Sequence, residues 1–392
     1  MFHLPPIAAL LAVLALPRPC EAQQLEPARF RRAEVEFASG PRRLRGTLLV
    51  PEVSLPLPAV VVLGGSDRGP RGRAKSALAG AIAAVGIAAL SYDSPGTGSS
   101  TGDALLQTRG DRAAEASAAV AFLRARKDID PQRVGVVGGS EGARVALFSA
   151  GRDEAVACVV AISGAFGITM LDLARYRIDA MGLRVGLTHA QVQKAHVLEE
   201  LLFALMSGQD VIEWRILRAQ ADTFDDAGWR TLFELIPRCR GELTAAQRKS
   251  LWDELRAVLR RWAPEPWFAL AVVDRANFER VLAVDANSFF TLIERGPLAR
   301  GDWFESREEL HAFAQVRRPV LAVWGEEDDF VPPRRSAAWL RANLTATEDV
   351  TLRLVPGGDH SLFAVGTTGH VPGYPQLVVD WLRTRLAADR GR

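Results

Sequence analysis

The chain of 392 residues carries 48 Lys+Arg against 46 Asp+Glu, a formal net charge of +2. Hydrophobic residues at 48% and charged residues at 24% are ordinary globular usage, which excludes a disordered tail, a collagen-like fibre and a disulfide-stapled miniprotein. So even a balance gives no electrostatic reason to expect nucleic acid as a partner. Lysine occurs only at 75, 127, 194 and 249, and the many arginines are scattered rather than clustered. The length admits one large α/β domain with an insertion, or two domains.

At the N-terminus, Ile7 to Leu16 is a ten-residue apolar run, too short to cross a bilayer as a helix. Pro17 and Pro19 follow, then Cys20-Glu21-Ala22, with small residues at −3 and −1 of a cleavage site. This predicts a signal peptide over residues 1–22, cut near Ala22, and an exported protein that is periplasmic or secreted. Lipid attachment at Cys20 is disfavoured by Pro19, where a small residue is wanted. No later apolar run reaches 18 residues, so no membrane span is expected.

Glu34 to Pro51 alternates around Ser39-Gly40-Pro41 and reads as a hairpin. Ala59 to Leu63 is a short apolar run ending in Gly64-Gly65, followed by a polar loop and a helix over about Arg73 to Val85. Further buried strands are expected at Ile87 to Ser91, Val134 to Val137 and Ala157 to Ser163, separated by helices over Asp111 to Arg126 and through Ala150. Short β-rich runs alternating with helices of 12 to 16 residues mean βαβ units and a parallel sheet.

From about Phe166 to Val316 the pattern turns helical and holds six of the nine tryptophans: Trp214, Trp229, Trp252, Trp262, Trp267 and Trp303. The strand rhythm returns at Pro319 to Trp324 and Val350 to Val355, and a closing helix covers Tyr374 to Ala388. A helical block interrupting a parallel sheet is an insertion, expected to cap it. The organisation is therefore core over 23–165, helical cap over 166–316 and core again over 317–392. The tryptophans either line a substrate pocket or fill the cap's own core, the commoner use of such residues. Arg175, Arg177 and Arg184 either meet an anionic substrate or, as is usual for such charges, form a solvated helix face.

Gly138-Gly139-Ser140-Glu141-Gly142 matches G-x-S-x-G between a strand and a helix. A serine on such a tight turn projects its hydroxyl above the sheet, and the glycines remove Cβ atoms that would clash. Gly98 to Gly102 matches the same pattern, but opens onto a polar stretch with no apolar helix following immediately, so Ser140 is favoured over Ser100. The general base that a serine needs is sought among six histidines. His3 leaves with the signal, and His189, His196 and His311 fall in the insertion. His360, after the turn Pro356 to Asp359 that closes the last strand, is preferred to His370. The strand ending at Trp324 runs into Glu326-Glu327-Asp328-Asp329, which supplies the acid or is merely a solvated turn. Serine, acid and histidine in that order, each just past a strand's end, is the order of an elbow-type hydrolase.

These motifs, with Gly325-x-x-Asp328-x-x-Val331-Pro332 and Asp359-His360-Ser361-Leu362-Phe363, resemble the α/β-hydrolase superfamily. Tyr92 to Ser100 resembles that superfamily's loop after the fourth strand, which accounts for the decoy serine. In particular the chain is similar to capped, secreted bacterial serine esterases of the serine-aminopeptidase-like type. The resemblance implies an α/β-hydrolase fold, a mostly parallel sheet flanked by helices, with the helical cap inserted before the strand carrying the acid. It also selects Asp328 over Asp329. Ser140, Asp328 and His360 would then form the triad, with an oxyanion hole from the N–H of Glu141 and that of Ser66 or Gly65. The implied partner is a small-molecule acyl ester and no cofactor is called for. Many relatives carry histidine where Gly64 and Gly139 stand. Glycines there resemble the bile-acid acyltransferase and acyl-CoA thioesterase branch, so thioester cleavage and acyl transfer stand beside ester hydrolysis. A peptidase on the same fold and a catalytically inactive binding protein complete the alternatives. Without the signal, Cys158 and Cys239 remain, expected as two buried free thiols although a disulfide is open to them.

Overall fold

The computed structural model describes residues 28–209, 214–272, 275–302 and 304–387. The expected signal peptide and Trp303 lie outside them.

Strands β1 (Phe30–Ser39) and β2 (Arg42–Pro51) form the expected hairpin, turning at Gly40 with φ of 54°. After β3 (Leu57–Leu63) come helix α1 (Arg73–Ala83), strand β4 (Ala88–Tyr92) and helix α2 (Arg109–Arg124). Strand β5 (Ile129–Gly139), helix α3 (Glu141–Arg152) and strand β6 (Val159–Ile162) complete the first half. A helical block follows, opening with α4 (Met170–Arg184), α5 (His189–Ser207), α6 (Trp214–Ala221) and α7 (Ala227–Arg238). It continues through α8 (Ala245–Trp262), α9 (Phe268–Ala271), α10 (Arg275–Ala283) and α11 (Ala286–Arg295), and ends with α12 (Arg307–Gln315). Strand β7 (Val320–Gly325), helix α13 (Pro333–Asn343), strand β8 (Val350–Val355) and helix α14 (Gln376–Arg385) close the fold.

The eight strands make one sheet in the order β1-β2-β4-β3-β5-β6-β7-β8. β1, β2 and β4 pair antiparallel, and every pairing from β4 through β3 to β8 is parallel. The central strands are buried throughout, which is why β3, β4 and β6 read as unbroken apolar runs without alternation. One apolar layer lies between the sheet and α2, α3, α12 and α13; the other lies under α1 and α14. The strand order reverses at β3, and the loops after the carboxyl ends of β3, β5, β7 and β8 hold the candidate site, where open α/β sheets bind ligands.

The helical block has its own core, running from Ile178 to Ile293. Trp229, Trp262 and Trp267 pack on one another with centroids 4.4 to 5.6 Å apart, and Trp252 stacks on Phe289 at 3.9 Å. Trp214 packs edge-on against Phe233. These tryptophans pack in the block's own core, the commoner of the two expected uses. Helix α12, read from sequence as part of the insertion, instead packs on α3, with Ala312, Phe313 and Val316 in the sheet's core. Cys158 and Cys239 are both buried and free, and burial pushes the two thiols up to about 12 and about 11.

The contact between α3 and α12 requires glycine at 151, where a Cβ would stand 1.9 Å from the Ala312 carbonyl oxygen. Gly151→Ala is expected to cost about 1–3 kcal/mol, because backbone on the facing helix cannot yield as a side-chain tip does. Gly139→Ala, whose Cβ meets nothing within 4 Å, should leave the urea midpoint in place. Equal midpoints for both variants and the parent would contradict this packing.

Candidate active site

At the junction of β5 and α3, Ser140 has φ of 53° and ψ of −121°, a conformation that costs a non-glycine residue about 1–3 kcal/mol. Its N–H donates to the Ile162 carbonyl at 2.8 Å, tying the turn to β6. Glycine is obligatory on both sides: a Cβ on Gly138 would meet the Gly142 carbonyl oxygen at 2.0 Å, and one on Gly142 the Gly64 carbonyl oxygen at 2.5 Å.

His360 reaches this hydroxyl from the loop after β8, with Nε2 3.2 Å from Ser140 Oγ. Its Nδ1 lies 2.9 Å from Asp328 Oδ2 and 3.1 Å from Oδ1. The Asp328 side chain is fully enclosed, and its Oδ1 accepts the N–H groups of Phe330 and Val331 at 2.9 and 2.8 Å. Two backbone donors and the imidazole therefore fix the carboxylate in the plane where Nδ1 carries the proton. Phe330 stacks on the His360 ring at 4.7 Å, so the loop of Asp328 also sets the orientation of that ring.

Ser140, Asp328 and His360, separated by up to 220 residues in sequence, are thus brought into one hydrogen-bonded chain. The rejected alternatives lie elsewhere. Asp329 pairs with Arg184 of α4, and burial pushes its carboxyl up against the pull of that guanidinium. His370 packs between Phe363 and Tyr374, with Nδ1 3.3 Å from the Leu362 carbonyl oxygen. Ser100 is buried, its hydroxyl donating to the Asp93 carbonyl and accepting the N–H of Arg45, both at 2.9 Å.

Gly65 backs directly onto Ser140, for a Cβ there would lie 3.2 Å from Ser140 Cβ, and Ser66 follows it in the same loop. Glu141, first residue of α3, turns its carboxylate to two arginines: Arg68 at 2.9 Å and Arg112 at 2.5 Å. Burial alone would raise this carboxyl, but the two guanidinium charges outweigh it and hold it far below the usual carboxylate range.

The helical block lies against the acid's loop. Tyr176 Oη donates to the Asp328 carbonyl at 2.7 Å, and Arg177 stands over the Phe330 ring at 5.3 Å. Arg177 is 2% exposed and donates to the Leu270 carbonyl, which corrects the reading of a solvated helix face for this residue, whereas Arg175 and Arg184 are exposed. Arg175 pairs with Glu200 and Arg184 with Asp329, each on protein partners. Nothing in the local sequence distinguishes Arg177, Phe330 or the two arginines on Glu141, because their partners are remote in the chain. Among the described residues, no group of three or more His, Cys, Asp or Glu is arranged to hold a metal ion, and no helix is long and apolar enough to cross a membrane.

Comparison with known proteins bears on the fold. The model of the X-Pro dipeptidyl-peptidase (S15) family matches residues 40–193. No curated protein matches the sequence significantly. Among solved structures, the α/β hydrolase GrgF from Penicillium sp. sh18 is similar, with a TM-score of 0.52 and 18% identity over 91% of this chain and all of that one. The proline iminopeptidase of Mycobacterium smegmatis gives 0.51 and 18%, covering 90% of this chain and 99% of its own. An esterase of Pyrococcus furiosus gives 0.50 and 15%, covering 91% of each chain. The chain has the α/β-hydrolase fold, with that fold's sheet order and strand-to-helix elbow.

One carboxyl of the helical block is raised toward neutral pH. Burial pushes Glu199 of α5 up to about 7 from 4.5, against the opposing charge of Arg177. A carboxyl raised in the folded state favours folding while protonated, so its contribution is full below about 4.5 and is lost as pH rises through about 7. Chemical denaturation from pH 4.5 to 8 should show Glu199→Gln gaining stability over the parent only toward the alkaline end. A difference independent of pH would contradict the shift.

Proposed function

We propose that this protein is a serine hydrolase that cleaves carboxylic esters through an acyl-enzyme on Ser140. The observation that carries the reading is the continuous hydrogen-bond chain from Ser140 Oγ through His360 to the enclosed Asp328. Ser140 Oγ attacks the ester carbonyl carbon while its proton passes to His360 Nε2. Asp328 holds the ring in the tautomer that leaves Nε2 free to accept, and stabilises the imidazolium that forms. The oxyanion of the tetrahedral intermediate is met by the N–H of Glu141 and by that of Gly65 or Ser66. Collapse expels the alcohol, which takes the proton from Nε2. Water, deprotonated by the same nitrogen, then releases the acid and restores Ser140. This sequence calls for no cofactor.

The helical block over the strand ends acts as the cap and bounds the acyl and alcohol sites. The protein is exported after cleavage near Ala22, a reading supported by the apolar run before it. Amide cleavage at an amino terminus is a second reading, favoured by the match to the X-Pro dipeptidyl-peptidase family model over residues 40–193.

Turnover of short-chain p-nitrophenyl esters, set beside an aminoacyl-prolyl p-nitroanilide, separates the two bond classes. Ester turnover is expected to dominate, and Ser140→Ala, His360→Ala and Asp328→Asn should each lower kcat by about 10⁴-fold or more. Full activity in Ser140→Ala would sink the assignment; anilide turnover above ester turnover would replace esterase with peptidase.

A further inference from the structure

The residue after the nucleophile does more than present its backbone. Glu141 lies at the centre of a cluster that joins the two segments of chain flanking Ser140. Its Oε1 accepts from Arg68 Nη2 at 2.9 Å and its Oε2 from Arg112 Nη1 at 2.5 Å. Arg112, on α2, spends its second nitrogen on the Gly64 carbonyl oxygen at 2.6 Å. Arg68 sits in the loop after β3 and donates to the Gln107 carbonyl at 2.5 Å. From the helical block, Arg280 of α10 donates to the Asp67 carbonyl at 2.5 Å.

We propose that Glu141, Arg68 and Arg112 are positioning residues that set the oxyanion loop against the nucleophile's turn. The inference rests on the serine-hydrolase reading and extends it to groups that never touch substrate. A trans peptide carries its N–H opposite its carbonyl, so the bond from Arg112 to the Gly64 carbonyl fixes the direction of the Gly65 N–H. The same guanidinium grips the side chain of Glu141, whose own N–H is the other donor. One planar, five-donor cation therefore fixes both halves of the hole relative to each other, a geometry lysine cannot copy. The side chains of the cluster are only 8 to 15% exposed, so water does little to screen or replace these bonds. Gly64 also has no freedom to retreat, because its carbonyl oxygen already packs where Gly142 must lack a Cβ.

A hole held this way acts on the transition state more than on the bound ester, so loosening it lowers kcat and spares KM. The test is Glu141→Gln, which keeps shape and backbone N–H but removes the charge. Turnover of p-nitrophenyl butyrate is measured per active site titrated with a fluorophosphonate. Expected is a kcat lower by about 10- to 100-fold with KM within threefold. A kcat within twofold of the parent overturns the proposal, as does a change confined to KM. Arg112→Ala provides a second reading should Glu141→Gln fold poorly. Millimolar guanidinium is expected to raise its kcat at least fivefold, whereas methylammonium at the same ionic strength should not. Equal responses to both cations, or none, would also overturn it. A parent enzyme that neither turns over esters nor reacts with the fluorophosphonate would instead remove the serine-hydrolase reading, a failure distinct from a fully active Glu141→Gln.

Discussion

Every feature of the site depends on holding one residue in a conformation it does not prefer. Ser140 turns the chain from β5 into α3 at φ of 53°, and this turn lifts its hydroxyl toward the loops beyond the strand ends. The surroundings leave it no alternative. Its N–H is pinned to β6, Gly138 and Gly142 meet backbone at distances that exclude any side chain, and Glu141 is bound at once to two arginines. The strain is thus maintained by sheet, helix and salt bridge together, and it brings Ser140 within hydrogen-bond distance of His360, which in turn meets Asp328, both from distant loops.

The helical block is tied to this arrangement by named side chains. Its tryptophans and leucines give it a core separate from the two layers of the sheet. It nevertheless reaches the loops around Ser140 at two points. Tyr176 and Arg184 of α4 hold the loop of Asp328 and Asp329, while Arg280 of α10 holds the loop that begins at Gly64. A second set of buried charges fastens the chain where it returns to the sheet. Arg109 and Arg144, on α2 and α3, meet Glu309 of α12, and Glu305 accepts the N–H of Gly167 at the block's start. Such buried pairs contribute little net stability, but removing either partner strands a charge, so they specify where the block enters and leaves.

Much of the fold was legible because the parallel sheet writes itself as apolar runs of regular spacing. Ala59 to Leu63 and Val350 to Val355 are strands for that reason, and Gly138 to Gly142 carries the elbow in a local pattern that needs no partner. His360 and Asp328 were found by their place after strand ends and by family resemblance, and the structure brings them together at hydrogen-bond distance. Less was visible where the partner is far away in the chain. Glu141 meets Arg68 and Arg112 across 73 and 29 residues, and no pattern in a chain with scattered arginines singles those two out. Arg177 reads as one more exposed helix charge until α4 is packed against Phe330. Helix α12 looks like the rest of the insertion because its apolar face is ordinary; only its seat on Gly151 assigns it to the sheet. Helix α13 did carry a local signal that went unused, Pro333 at its first turn.

The central claim is that Ser140 is an activated nucleophile, and covalent labelling tests it most directly. Intact mass would be recorded after incubating the folded protein with a fluorophosphonate, with Ser140→Ala alongside. The expected result is one adduct per chain, located on the peptide containing Ser140 and absent from the variant. No adduct on the folded parent protein, or an adduct that persists in Ser140→Ala, would contradict the account.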